Sequence, residues 1–222
     1  MLFRSRPGGY PTVYVLDANV YFADVVELCR HEARKGHLPP VIVVGIGYHD
    51  VGAADTLRER DYTLVHTDSM RCSGGGGHFL SFLQDELCPL VRTRYATDST
   101  RCALIGHSLG GHLVLSALID RELHGEQPFT TFLAASPSVD VAGGEVLYAL
   151  EGLASENPID HRDVFISHGE GEDDAAMRRC MEFLRQYFRH GVVERHYPGT
   201  DHMGTAIPSF HDGLRALWGE KR

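Results

Sequence analysis

The sequence predicts a single α/β domain over residues 1–222, with a mostly parallel sheet and helices on both faces. Three observations carry that expectation. Short apolar runs rich in Val, Ile and Leu alternate with helical segments from end to end. The clearest run, Val41–Gly47 (VIVVGIG), is too short for a helix and reads as a buried parallel strand. No internal repeat, low-complexity linker or change of composition divides the chain.

Taken in order, Thr12–Leu16 (TVYVL) is the first strand and Asp24–Lys35 an amphipathic helix. Val41–Gly47 is the second strand. Residues 48–76 are polar and Gly-rich and predict an irregular segment, with Ser73–Gly77 (SGGGG) as a flexible loop. Those glycines lack the preceding strand and the Lys-Ser/Thr of a phosphate-binding loop. A helix follows from His78, with Phe79, Phe82, Leu83 and Leu87 at helical spacing. CALIG, ending at Gly106, is the third strand and leads into the helix LGGHLVLSALID. Strands follow near Thr130–Ser136, Asp163–Ser167 and Val192–Pro198. Helices are expected over Val141–Ser155, Asp173–His190 and Pro208–Trp218.

Composition narrows the function. The net charge is −9 and no Lys/Arg run stands out, which disfavours nucleic acid and an anionic membrane surface as partners. No stretch approaches a transmembrane helix in length, and the start has no apolar signal core. Cys29, Cys72, Cys88, Cys102 and Cys180 are odd in number and contain no C-x-x-C pair. They suit reduced thiols, and a cytoplasmic location is expected.

The chemistry is expected at Cys102–Gly111. Gly106-His107-Ser108-Leu109-Gly110 matches G-x-S-x-G, a pattern that roughly one random chain in seven of this composition would contain. Its setting distinguishes it from coincidence. A strand ends at Gly106 and an apolar helix begins at Leu109, the context in which a strained turn exposes a nucleophilic serine. A serine hydroxyl needs a base, and in this arrangement the histidine follows the last strand. His202, in the loop after Pro198, stands there. The orienting acid belongs after the fifth strand, where Glu170, Glu172, Asp173 and Asp174 cluster. Glu172 ranks first, with Asp173 and Asp174 in reserve; an acidic helix start, or no acid at all, are the competing readings. Two N–H donors for an oxyanion are expected from Leu109 and from within Asp17-Ala18-Asn19.

The blocks VYVLDANVYF, LPPVIVVGIGY, RERDYTLV, GHSLGG, LAASPSVD and DHMG, in this order, resemble the esterase D/putative esterase family of α/β-hydrolases. Within it the chain is most similar to siderophore esterases of the enterobactin trilactone type. The resemblance implies a serine esterase with nucleophile Ser108, base His202, acid Glu172 and first oxyanion donor Asn19, without metal or organic cofactor. Ala18 stands where the family usually has glycine. Usual members carry antiparallel strands ahead of the first block, where this sequence has only a short Pro/Gly-containing lead. Either the sheet is shortened at that edge or the chain is a trimmed member. An uncovered edge would invite pairing, so a homodimer is one expectation.

Substrate signals are sparse. Arg58, Arg60 and Arg71, in the segment predicted to be irregular, and His107 beside the nucleophile are the candidate substrate contacts. The ester could be a siderophore or another natural product. Two other functions remain on the sequence alone: acyl transfer or thioester release through the same serine, and a non-catalytic binding protein on a hydrolase fold.

Overall fold

The computed structural model describes residues 8–125, 127–156, 158–172 and 174–219. Six strands form one sheet in the order β2-β1-β3-β4-β5-β6: β1 Tyr10–Val15, β2 Ile42–Gly45, β3 Thr97–His107, β4 Thr131–Ala135, β5 Ile159–Gly169 and β6 Phe188–Tyr197. Every neighbouring pair is parallel. The six strands lie where the apolar runs predicted them. β2 lies at one edge of the sheet and is four residues long.

Side chains along each strand alternate between two apolar layers, as the period of two requires. Val13 and Val15 of β1 and Ala103 and Ile105 of β3 face one layer. That layer is closed by α1 (Ala18–Lys35), through Tyr21 and Val25, and by α8 (Ala206–Trp218), through Phe210, Leu214 and Trp218. Tyr14, Leu16 and Leu104 face the other layer. It holds α5 (Leu109–His124), α6 (Glu145–Ala154) and α7 (Ala175–Tyr187). α5 is buried from Leu109 through Ile119, so its apolar composition reflects a helix covered on nearly all sides. Burying a side chain such as Phe210 or Leu214 contributes about 1.5–3 kcal/mol.

The segment between β2 and β3 differs from expectation. Residues 48–76 are not irregular throughout: a 3-10 turn at Val51–Ala53 leads into α2 (Ala54–Tyr62). Five of its nine residues are charged, and its apolar contribution comes mainly from Tyr62, which hides the helical signal. The glycine run is not a free loop either. Gly76 opens α3 (Gly76–Ser81), and a Cβ there would lie 2.7 Å from the Thr63 carbonyl oxygen. Glycine lets this segment close against the end of α2. α3 continues through a π-helical turn at Phe82–Leu87 into α4 (Cys88–Arg94).

Strand order fixes the position of the site. The chain leaves β1 toward β2 and returns across β1 to β3, so the crevice between the carboxyl ends of β1 and β3 is the topological switch point. Asp17-Ala18-Asn19 follows β1 there, and Ser108 follows β3. Among the described residues no helix is long and apolar enough to cross a membrane.

Candidate active site

Ser108 stands between β3 and α5 with φ 58° and ψ −120°, a backbone conformation that costs roughly 1–3 kcal/mol for a residue other than glycine. Backbone bonds hold it there: its N–H donates to Ala135 O (2.9 Å), and its carbonyl accepts from Ser138 N–H (3.1 Å). Gly106 makes the bend possible, since a Cβ at that position would lie 2.5 Å from the Gly110 backbone. The hydroxyl is presented at the start of α5, 2.9 Å from His202 Nε2.

His202 lies in the loop between β6 and α8. Its Nδ1 faces Glu172 Oε1 in a short hydrogen bond. An ionised carboxylate only accepts, so Nδ1 carries the proton and Nε2 is left to accept from the Ser108 hydroxyl. Glu172 is fixed through its other oxygen, which accepts from Gly169 N–H and from the Ser136 hydroxyl (2.7 Å). Burial would raise this carboxyl; the bonds from Gly169, His202 and Ser136 outweigh it and hold the group below the usual carboxylate range.

The backbone of His202 is held as firmly as its ring. Its carbonyl accepts from Thr205 Oγ1 (2.7 Å) and lies 2.8 Å from His107 Nε2. Burial pushes His107 down from 6.5 to about 4, so it is neutral, with one donor and one acceptor nitrogen. The carbonyl needs the donor, which makes His107 the Nε2–H tautomer. Its Nδ1 then accepts from the Tyr21 hydroxyl (3.0 Å). Sequence reasoning offered His107 as a substrate contact. Although it borders the cavity, it is 2% exposed and both nitrogens are engaged within the protein.

Neither of the two amides expected as oxyanion donors has a hydrogen-bond partner among the described residues. In the first turn of α1, Ala18 N–H donates to Ile46 O, and Val20 and Tyr21 N–H donate to Asp17 O, which leaves Asn19 N–H over. The Leu109 N–H at the start of α5 is likewise unmatched. The positive φ of the first turn falls on Asp17 (52°), while Ala18 is already helical. The alanine in place of the usual glycine therefore puts no strain on this turn. The Asn19 side chain is occupied elsewhere, pairing with the Tyr48 backbone in both directions (2.7 and 2.9 Å).

Beside Ser108 is a cavity of about 300 Å³, bordered by Asn19, Tyr21, Tyr48 and Arg58 among others. Arg58 does border it, but its guanidinium is bound to Asp17 at 2.6 and 3.1 Å. Arg60 is bound to Asp61 in the same bidentate way (2.7 and 3.0 Å) and does not border the cavity. Arg71 is exposed and away from it too. Of the reserve acids, Asp174 caps α7 by accepting from Met177 N–H (2.8 Å), and Asp173 lies outside the described residues. The sequence did not single out Ser136, Thr205 or Tyr21. Ser136 sits in the block LAASPSVD, but its φ of 40° and its contact with Glu172, 36 residues away, are products of the fold.

An all-parallel α/β sheet with a serine on the strained bend after β3, facing a histidine from the loop before the last helix, defines the α/β-hydrolase class. Within that class the chain belongs to the family described as "Putative esterase", whose model matches residues 3–219. It is 35% identical to the siderophore triacetylfusarinine C esterase of Aspergillus fumigatus over 95% of this chain and 82% of that protein. It is 34% identical to the ferri-bacillibactin esterase BesA of Bacillus subtilis over 60% of this chain, a match spanning about half (49%) of that relative. Among solved structures, the BES protein from Bacillus cereus superposes with a TM-score of 0.79 at 27% identity, covering 97% of this chain and 86% of that one.

Proposed function

We propose that the protein is a serine esterase acting through an acyl-enzyme on Ser108. His202 Nε2 takes the hydroxyl proton as Ser108 Oγ attacks the ester carbonyl, and the amides of Asn19 and Leu109 hold the resulting oxyanion. Collapse of the tetrahedral species expels the alcohol, which receives the proton from His202. Water then attacks the acyl-enzyme by the same path and releases the acid. Glu172 keeps the imidazole in the required tautomer and stabilises the imidazolium.

The observation that carries this reading is the unbroken line Ser108–His202–Glu172, with 2.9 Å between hydroxyl and imidazole. Siderophore esters are the proposed natural substrates, because relatives over most and over part of the chain are named as siderophore esterases. Transfer to another acceptor is the weaker reading. The His202 side chain is 40% exposed, so water reaches the acyl-enzyme freely. The test is a panel of esters from p-nitrophenyl acetate to ferric siderophores, with wild type beside Ser108→Ala. Hydrolysis by wild type that falls at least a thousandfold in the variant is expected. Equal rates in the two proteins would refute the proposal.

A further inference from the structure

The residues bordering the cavity beside Ser108 raise the question of what kind of ester they admit. Three of them are charged: Asp17, Asp55 and Arg58. Arg58 is the only cation of the three, and its Nε and Nη2 bind the Asp17 carboxylate, which sets a negative charge directly against its own. Burial favours the neutral form of Asp17, Arg58 opposes it, and the pair is held in place by its bidentate geometry. Asp55, exposed in the first turn of α2, is then left as an unbalanced negative charge at the mouth. Glu172 adds a second carboxylate behind His202. His107 brings no positive charge, since its two nitrogens are committed to Tyr21 and to the His202 carbonyl.

The mouth is also apolar. Val20, Val51 and Met203 border the same cavity and are 62%, 68% and 64% exposed. They come from three separate elements: α1, the turn before α2, and the loop before α8. Large apolar side chains converging around a reactive group offer a surface that a ligand would cover.

We infer that this site selects esters whose recognised part is uncharged and apolar, and disfavours polyanionic ones, with Asp55 and the Val20–Val51–Met203 rim as the selecting features. The inference rests on the esterase reading of Ser108. Arg58 borders the cavity with its charge balanced by Asp17, so it adds no net positive charge to the mouth. The consequence for iron carriers follows from charge alone. Iron(III) held by three hydroxamates is neutral, whereas iron(III) held by three catecholates bears three negative charges. The site suits the first.

Three p-nitrophenyl esters of one chain length separate the outcomes: the hexanoate, the adipate half-ester with its terminal carboxylate, and the 6-trimethylammoniohexanoate. At low ionic strength, kcat/KM for the adipate should lie at least tenfold below that for the hexanoate. Asp55→Lys should raise the adipate-to-hexanoate ratio about five- to twentyfold and lower the ratio for the cationic ester. Half-molar salt should shrink both changes. Val51→Lys, at an exposed turn position, should act in the same direction. Adipate hydrolysed as well as hexanoate by wild type, or ratios unmoved in both lysine variants, would overturn the inference and leave the esterase standing. Failure to hydrolyse any of the three would remove the esterase reading and this inference with it.

Discussion

Replacing Glu172 by glutamine tests whether the carboxylate governs the imidazole. The two carboxylate oxygens face different partners. One accepts from His202 Nδ1, the other from Gly169 N–H and the Ser136 hydroxyl. A glutamine in the same place has one acceptor and one donor. If its oxygen keeps Gly169 and Ser136, its NH2 group faces Nδ1 and forces the proton onto Nε2, where it points at Ser108 and blocks the base. If the amide turns round, its NH2 meets the Gly169 N–H, leaving a buried donor unmatched at about 1–3 kcal/mol. The productive arrangement is then populated roughly 5- to 150-fold less than in wild type. Exchanging a charge-assisted hydrogen bond for a neutral one costs about a further 1–2 kcal/mol when the imidazolium forms. Together these predict that kcat falls by about 10²–10³ with KM little changed. The assay is steady-state hydrolysis of a p-nitrophenyl ester, with the thermal transition measured to confirm folding. A fall of less than threefold in a folded variant would refute the reasoning and show that His202 is oriented without Glu172.

Two further outcomes follow from the same geometry. Gly106→Ala should lose about 3 kcal/mol, because its Cβ would meet the Gly110 backbone at 2.5 Å. In a chain of this size that lowers Tm by roughly 6–12 °C in a thermal scan, and an unchanged Tm would contradict the close approach. His107 carries a pH dependence whose sign is fixed by its fall from 6.5 to about 4. The unfolded chain binds this proton at higher pH than the folded one, so the group's contribution is intact above pH 6.5 and is lost progressively toward pH 4. The loss across that window is about 3 kcal/mol. Urea unfolding at pH 7 and pH 4.5 should show a smaller drop for His107→Gln than for wild type. Equal drops would mean that His107 is not held neutral.

The legible parts of the molecule were those in which neighbouring residues carry the signal. VIVVGIG and CALIG read as strands because burial on both faces leaves them apolar throughout. Ser108 was legible because its turn, its strand and its helix are contiguous. His202 and Glu172 were singled out by position after strands, and the structure places His202 beside Ser108 and Glu172 beside His202. Long-range pairings left no such trace. Arg58 looked available to a substrate because Asp17, which occupies it, is 41 residues away in sequence. Helix α2 was missed because most of its residues are polar and Tyr62 alone is deeply buried on hydrophobic ground. The acidic cluster after β5 could not be divided by composition. Backbone geometry divides it, turning Glu172 toward His202 and giving Asp174 to the α7 cap.

The central claim is that Ser108 is a nucleophile activated by His202. Mass spectrometry of the protein after reaction with a fluorophosphonate measures this most directly. Wild type should gain one adduct, mapped to the peptide containing Ser108, and His202→Ala should gain it far more slowly. Adduct formation that is absent in wild type, or undiminished in Ser108→Ala, would contradict the claim.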